Sequence, residues 1–529
     1  MRTLIFLVAL LACAGFARAL PQQSTAPREI EADVSHVTGP HSRAALLVVG
    51  AGRANEGLRA DWQAQLATTQ KEIGFRYIRF HGLLDDDMGV YTEDANGSPS
   101  YNFQYVDTLY DALLGLHIRP FVELSFMPAK LASGSKTVFW YKANITPPKD
   151  MTKWEGLIRA LITHWKQRYG EAEIAKWYFE VWNEPDLKLF FDGDFDQYMD
   201  LYRVTATAIK QVCPECRVGG PAAAQEATEK KFIDYVAAHH YPADFLSTHV
   251  YATKSGYFDA TTLKVSTVFD TAQDALVKRI CGTREMVDHS PLPKLEVHYT
   301  EWGSSYTSVD NLHDQYLQAS FVLDRLRKAL SCVNSMSYWT FTDIFEERGP
   351  RFTPFYGGFG MMNYEGIRKP TYFAYKYLAE LGESDVAETD SASGGARSWI
   401  TRTGDRQIQA LFWDYSPLGP PAGQDDQSYY KQVLPAQTTG PVTLRLTHVP
   451  AGKYRLNVYR TGYESNDAYT AYLRMGAPPQ ITREQVEALQ GKTMDAPVES
   501  RIVKVNDGTF NETFPMRQND IYLVTLTRQ

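Results

Sequence analysis

The feature that most constrains the fold of this chain is an alternation. Between about residue 44 and residue 380, short β-rich runs follow one another with longer amphipathic stretches between them. Eight such runs are present: Ala45 to Val49, Arg76 to Phe80, Arg119 to Leu124, Lys176 to Trp182, Arg217 to Gly220, Phe245 to Tyr251, Leu295 to Thr300 and Met336 to Thr340. The stretches between them, such as Asn55 to Glu72, Thr152 to Tyr169, Asp196 to Val212 and Asp310 to Leu330, carry apolar residues at three- and four-residue intervals, as a helix with one buried face does. Strands that alternate with helices pair in parallel. Eight units of this kind predict an α/β chain built on a closed (β/α)8 TIM barrel. A doubly wound open sheet is the alternative, and no Gly-x-Gly-x-x-Gly turn supports it.

Beyond about Leu381 the pattern changes to β alternation broken by Gly, Pro and Asp turns, as in Gln407 to Trp413, Val442 to Thr447, Tyr454 to Tyr459 and Ile521 to Leu526. This predicts an accessory β-sandwich, with Pro417 to Gln424 as a long loop and Ile30 to Val34 as an added N-terminal strand. A chain of 529 residues is too long for one ordinary core, which fits two units. The expected division is a leader over 1–19, an N-terminal segment over 20–43 joining the sandwich, the barrel over 44–381 and the sandwich over 382–529.

The leader follows from Met1-Arg2, the apolar run Leu4 to Ala14 and the small residues around Ala17-Arg18-Ala19. It predicts a secreted or periplasmic protein with no stable membrane insertion after processing, because the run falls short of the roughly 20 residues needed to span a bilayer. Leu10-Leu11-Ala12-Cys13 faintly resembles a lipobox, which keeps lipoprotein anchoring as a minor alternative. Four cysteines remain, too few for a disulfide framework. Cys213 and Cys216 have redox or metal spacing, but no second pair follows at zinc-ribbon distance, so a structural role such as a local disulfide is expected. A net charge of −8 with no dense Lys/Arg run lacks the electrostatic footprint of a nucleic-acid binder.

A barrel makes a demand on chemistry, since reactive side chains gather at the carboxyl ends of its strands. Polar residues stand there: His81 after run two, Asn183 and Glu184 after run four, His249 and Tyr251 on run six, Glu301 after run seven, Trp339 with Glu346 and Glu347 after run eight. Cleaving a glycosidic bond needs a proton for the leaving oxygen and a carboxylate facing the anomeric carbon, hence two acids across one sugar-sized gap. Glu184 and Glu301, at the ends of two strands of one barrel, meet that need. In Trp182-Asn183-Glu184-Pro185 the proline ends the strand and the Asn amide can donate to a sugar hydroxyl. Asp85-Asp86-Asp87 lacks further ligands at Ca²⁺-loop spacing, so it is read as loop structure; no metal and no cofactor are expected.

These motifs, in order, are Phe80-His81-Gly82-Leu83-Leu84-Asp85-Asp86-Asp87-Met88, Trp182-Asn183-Glu184-Pro185-Asp186, Thr248-His249-Val250-Tyr251, Thr300-Glu301-Trp302 and Tyr338-Trp339-Thr340-Phe341-Thr342-Asp343-Ile344-Phe345-Glu346-Glu347. Together they resemble glycoside hydrolase family 39, which contains β-xylosidases and α-L-iduronidases. The resemblance implies Glu184 as acid/base and Glu301 as nucleophile of a retaining enzyme. It also implies sugar contacts from Asn183, His249, Tyr251, Trp339, Glu346 and Glu347, with His81 lining the pocket, and a β-sandwich beside the barrel. His249-Val250-Tyr251 resembles the xylosidase branch, and the motifs show no clear cationic clamp for a uronic acid, so xylo-oligosaccharides are the expected substrates. Lys254 keeps α-L-iduronidase as an alternative, beside α-L-arabinosidase, an exopolysaccharide glycosidase and, more remotely, a non-catalytic carbohydrate-binding protein.

Overall fold

A computed structural model describes residues 27–529 apart from 260, 261, 263, 273 and 394. The expected leader over 1–19 and the lipobox-like Cys13 lie outside the described residues. Eight parallel strands close into a barrel: Val48–Arg53, Tyr77–His81, Arg119–Glu123, Tyr178–Glu180, Arg217–Ala223, Phe245–Tyr251, Glu296–Gly303 and Ser335–Tyr338, termed barrel strands one to eight. Each of the eight β-rich runs overlaps one of them.

Strand one begins three residues later than its run and continues through Gly50 and Gly52, where the sequence reading stopped. Ala44–Leu46 forms a 3-10 turn instead. Glycine is a poor strand former, but packing requires it here: a Cβ on Gly50 would lie 2.4 Å from the Trp339 ring. Strand four is cut short to three residues, because Trp182 and Glu184 both take positive φ, at 73° and 44°. That left-handed backbone is costly for non-glycine residues and turns the Asn183-Glu184 segment over the barrel mouth.

The outer helices follow their apolar stripes. Met151–Tyr169 buries Trp154, Leu157, Ile158, Leu161, Ile162 and Trp165, and the Asp150 side chain caps it by accepting from the amides of Thr152 and Lys153. Phe195–Val212 starts with a reciprocal capping box between Asp194 and Gln197. The amino end of the barrel is plugged by Val48, Tyr77, Phe121, Tyr178 and Phe245. Phe121 stacks on Tyr178 at 4.8 Å between centroids, and His298 packs edge-on against both. The barrel therefore opens only at its carboxyl face.

Three two-stranded hairpins decorate the barrel among the described residues, and nine further strands form one mixed sheet, whose order is 499–505, 452–461, 521–528, 407–413, 398–403, 384–390, 28–40, 442–447, 510–514. It closes over its own core of Ile30, Ile400, Phe412, Leu444, Leu456 and Val524, giving sandwich-like packing. Arg28–Pro40 pairs antiparallel with Ser384–Asp390 and parallel with Val442–Thr447. Among the described residues three helices interrupt this β unit, the short Asp426–Tyr429 and the longer Ala468–Arg474 and Arg483–Lys492, which the sequence reading did not separate from the strands around them. Tyr469, Tyr472 and Leu489 of these helices bury Phe355 and Ile367 from the long loop after strand eight.

That loop is also held from below. The Lys369 ammonium lies 2.7 Å from Asp314 and 2.6 Å from Asp343, with all three side chains fully enclosed. Cys213 bonds Cys216, and Cys281, midway along the helix Ala275–Asp288, bonds Cys332 in the 3-10 turn after the helix Leu317–Ala329, a pairing that the spacing gave no reason to expect. Removing one partner of a buried ion cluster strands the others, so Lys369→Met is expected to lower stability by about 3 to 5 kcal/mol in denaturant unfolding. The stranded carboxylates would hold a proton that the unfolded chain releases, so this loss should grow as pH rises from 5 to 8. A loss independent of pH would contradict the role given to Lys369.

Candidate active site

The carboxyl face of the barrel holds a cavity of about 540 Å³. His81, Asn183, Glu184, His249 and Tyr251 line it, as do Glu301, Trp339 and Glu347. Glu346 does not. Its carboxylate is turned away to Arg53 at 2.7 Å and Arg59 at 3.3 Å, and it borders a separate surface cleft instead. Adjacent residues on an extended loop point in opposite directions, and two arginines are available on one side only, so Glu346 is corrected from a cavity residue to an ion-pair residue in the wall.

Glu184 and Glu301 face each other. One oxygen of each, together with a ring nitrogen of His249, lie within 4.8 Å of one another. A cation could be surrounded by such a trio, but His249 Nδ1 and Glu184 Oε1 are hydrogen-bonded to each other at 2.8 Å, which accounts for their approach. Glu301 is the better anchored of the two glutamates. Its Oε1 accepts from Arg79 Nη1 at 2.8 Å and its Oε2 from the Tyr251 hydroxyl at 2.7 Å.

Electrostatics drive the pair apart. Burial opposes ionisation of Glu301, but the charges of His249, Arg79 and His81 and the Tyr251 hydrogen bond outweigh it and bring the carboxyl down to about 2. Glu184 moves upward, chiefly through burial, with the Glu301 charge adding to it and His249 working against it. Glu347 is likewise pushed well above the ordinary carboxylate range by burial and by the Glu301 charge. The two facing carboxyl groups therefore differ in proton affinity, with Glu184 holding a proton more readily than Glu301.

Sequence reasoning passed over Arg79. It sits inside strand two, fully buried, with Nε 2.6 Å from Glu180, Nη1 on Glu301, and Nη2 2.8 Å from both Asn183 Oδ1 and Glu123. Tyr77, Arg79 and His81 alternate onto one face of the strand, so a charge at an inward position was the available signal. Glu180 and Glu123 carry the same signal on strands four and three. Phe139 and Phe190, 5.5 Å apart between centroids, add an aromatic wall from loops that no motif marked. The motifs show no clear cationic clamp, yet a cation does reach the pocket from outside them. Lys254 is exposed and stands outside, but Arg348 lines the cavity, because it follows Glu347 on the same loop and leans over the Phe258 ring at 5.7 Å.

The chain matches the model of glycosyl hydrolases family 39 over residues 30–510. It is 38% identical to a β-xylosidase of Caldicellulosiruptor saccharolyticus over 83% of this chain and 86% of that one. It is 34% identical to a β-xylosidase of Geobacillus stearothermophilus over 90% and 91%. The crystal structure of a GH39 enzyme from Xanthomonas axonopodis pv. citri superposes with a TM-score of 0.91 at 41% identity, covering 97% of this chain and 99% of that one. With the match spanning barrel and accessory sheet alike, this chain belongs to glycosyl hydrolase family 39.

Proposed function

We propose that the protein is a retaining, exo-acting β-xylosidase that releases D-xylose from xylo-oligosaccharides, with Glu184 as acid/base and Glu301 as nucleophile. The observation that carries this reading is the close approach of two carboxyl groups with opposite proton preferences. A separation within 4.8 Å between oxygens suits the roughly 5 to 5.5 Å spacing of retaining sites and leaves no room for the water that inversion places between its carboxyls, about 6.5 to 9.5 Å apart. Xylose as the sugar is supported by two relatives named β-xylosidase that match over more than four fifths of the chain.

In the first step a Glu301 oxygen bonds to the anomeric carbon as the glycosidic C–O bond breaks, and the leaving oxygen takes the Glu184 proton. In the second, Glu184 as carboxylate takes a proton from water, whose oxygen displaces Glu301 and restores both groups. Arg79 and Tyr251 keep Glu301 ionised and oriented before attack. With its Oδ1 turned to Arg79, Asn183 has its amide hydrogens left for the sugar, where a bond to the 2-hydroxyl would strengthen in the transition state. Trp339, His81 and Glu347 complete the wall around the ring.

On an aryl β-D-xyloside, Glu301→Ala is expected to lose roughly four orders of magnitude or more in kcat. Glu184→Ala should lose about 10²- to 10⁴-fold on a poor leaving group and far less on an activated one, and azide should restore it more than it restores Glu301→Ala. Unchanged rates in both variants would end the proposal.

Arg348 favours a second reading. Its Nη1 is buried with no hydrogen-bond partner among the described residues, and a uronic acid carboxylate would supply one, as an α-L-iduronidase requires. The xylosidase reading expects kcat/KM for an aryl β-D-xyloside to exceed that for an aryl α-L-iduronide by at least about tenfold, one pocket contact's worth. The reverse ranking, abolished by Arg348→Gln, would select the iduronide.

We further infer export through the N-terminal leader. All four cysteines after residue 19 are paired, which suits an oxidising compartment. Cell fractionation with N-terminal sequencing should find a chain beginning at Leu20 in the periplasm or medium; an intact Met1 confined to the cytosol would overturn this.

A further inference from the structure

Thr300 immediately precedes Glu301 on strand seven and is fully buried. Its hydroxyl donates to Glu180 Oε1 at 2.9 Å. Glu180 is paired through its other oxygen with Arg79 Nε at 2.6 Å, which holds it as a carboxylate, a group that only accepts. A hydroxyl has one hydrogen, and this one is committed. What Thr300 Oγ1 presents to His249 Nε2, 3.2 Å away, is therefore a lone pair, and Nε2 must carry a hydrogen to meet it. The other ring nitrogen, Nδ1, faces Glu184 Oε1 at 2.8 Å.

We propose that Thr300 is a positioning residue that keeps a hydrogen on His249 Nε2, so that Nδ1 and Glu184 hold one proton between them, within the pair from which it can be donated. The inference rests on the acid/base role of Glu184. Its chemistry is a matter of counting hydrogens. With Nε2 held as donor, removing the shared proton leaves a carboxylate oxygen facing a nitrogen lone pair, an arrangement that both groups resist. Glu184 is then a proton holder before the first step and, once water has arrived, an avid acceptor in the second. Without the Thr300 acceptor, the neutral ring can move its hydrogen to Nδ1 and donate to the Glu184 carboxylate, which stabilises the deprotonated state.

Other charges face the pair, and none replaces this contact. Glu301 acts on both members and, with Glu184, raises the His249 ring against its burial; Arg79 opposes that rise on His249, Asp186 adds repulsion to Glu184 from the loop after strand four, and Tyr251, His81 and Glu347 stand across the cavity. Among the described residues, the recorded partner of His249 Nε2 is Thr300.

The test is the pH dependence of kcat/KM on an aryl β-D-xyloside for wild type, Thr300→Val and Thr300→Ser. The basic limb should move to lower pH by about one unit or more in Thr300→Val, the scale of one hydrogen bond to a charged group, and return to the wild-type position in Thr300→Ser. A folded Thr300→Val enzyme with an unmoved basic limb overturns the proposal. Because valine leaves Glu180 short of a donor and can weaken folding, the wild-type chain provides a second measurement. With ¹⁵N-labelled histidine and a His249→Gln variant for assignment, the ring above the basic limb should carry its hydrogen on Nε2; a neutral ring protonated on Nδ1 overturns the proposal. The two readings fail separately: full activity of Glu184→Ala removes the acid/base assignment, whereas an unmoved basic limb with Glu184→Ala impaired removes only the role of Thr300.

Discussion

A single guanidinium organises the catalytic face. Arg79 is buried beneath the cavity floor and reaches carboxylates or an amide on barrel strands three, four and seven and on the turn after strand four. An unpaired arginine here would be prohibitively costly, and so would three glutamates without it; each is tolerated because the others are in place. The contacts tie together strands that are distant in sequence, which is what brings Glu301 and Asn183 to one sugar-sized space. Arg79 also lies 5.7 Å from the Trp339 ring, so the same cation backs the aromatic wall. The cluster makes the floor buried, densely paired and charged.

The loops above this floor are supported from outside the barrel. The loop after strand eight is clamped by Lys369 from below and by Tyr469, Tyr472 and Leu489 from the side. The hairpin formed by Thr253–Asp259 and Lys264–Phe269 is fastened by the short helix Asp426–Tyr429, where Asp426 accepts from the Phe269 amide and Gln427 from the Thr267 amide. Thr253 and Phe258 of that hairpin line the cavity. The helices inserted among the strands of the nine-stranded sheet thus brace two walls of the site.

Much of this was legible in the chain. Eight strand runs are a periodic signal repeated over nearly three hundred residues, and repetition averages out local ambiguity. Glu184 and Glu301 are legible because strand ends in a barrel share one destination. What escaped depends on contacts between remote segments. Nothing local distinguishes Glu346 from Glu347, since the choice is made by Arg53 and Arg59 nearly three hundred residues earlier. Arg79 was hidden for the opposite reason: a charge inside an apolar run reads as an interruption until its three acidic partners are seen. Cys281 and Cys332 meet because the helix Ala275–Asp288 packs beside the turn Leu330–Cys332, and the two helices near the C-terminus are short enough for their caps to pass as turns.

The aromatic layer at the amino end of the barrel bears on traffic. With Tyr77, Phe121, Tyr178 and Phe245 sealing the axis, the site is a blind pouch, and nothing leaves along the bore. Whatever sugar is bound deepest arrives first and departs last, and it must back out past the groups that held its partner. Turnover in such a vessel is a queue with one door, in which the fragment nearer the mouth clears the way for the water and then for the residue behind it.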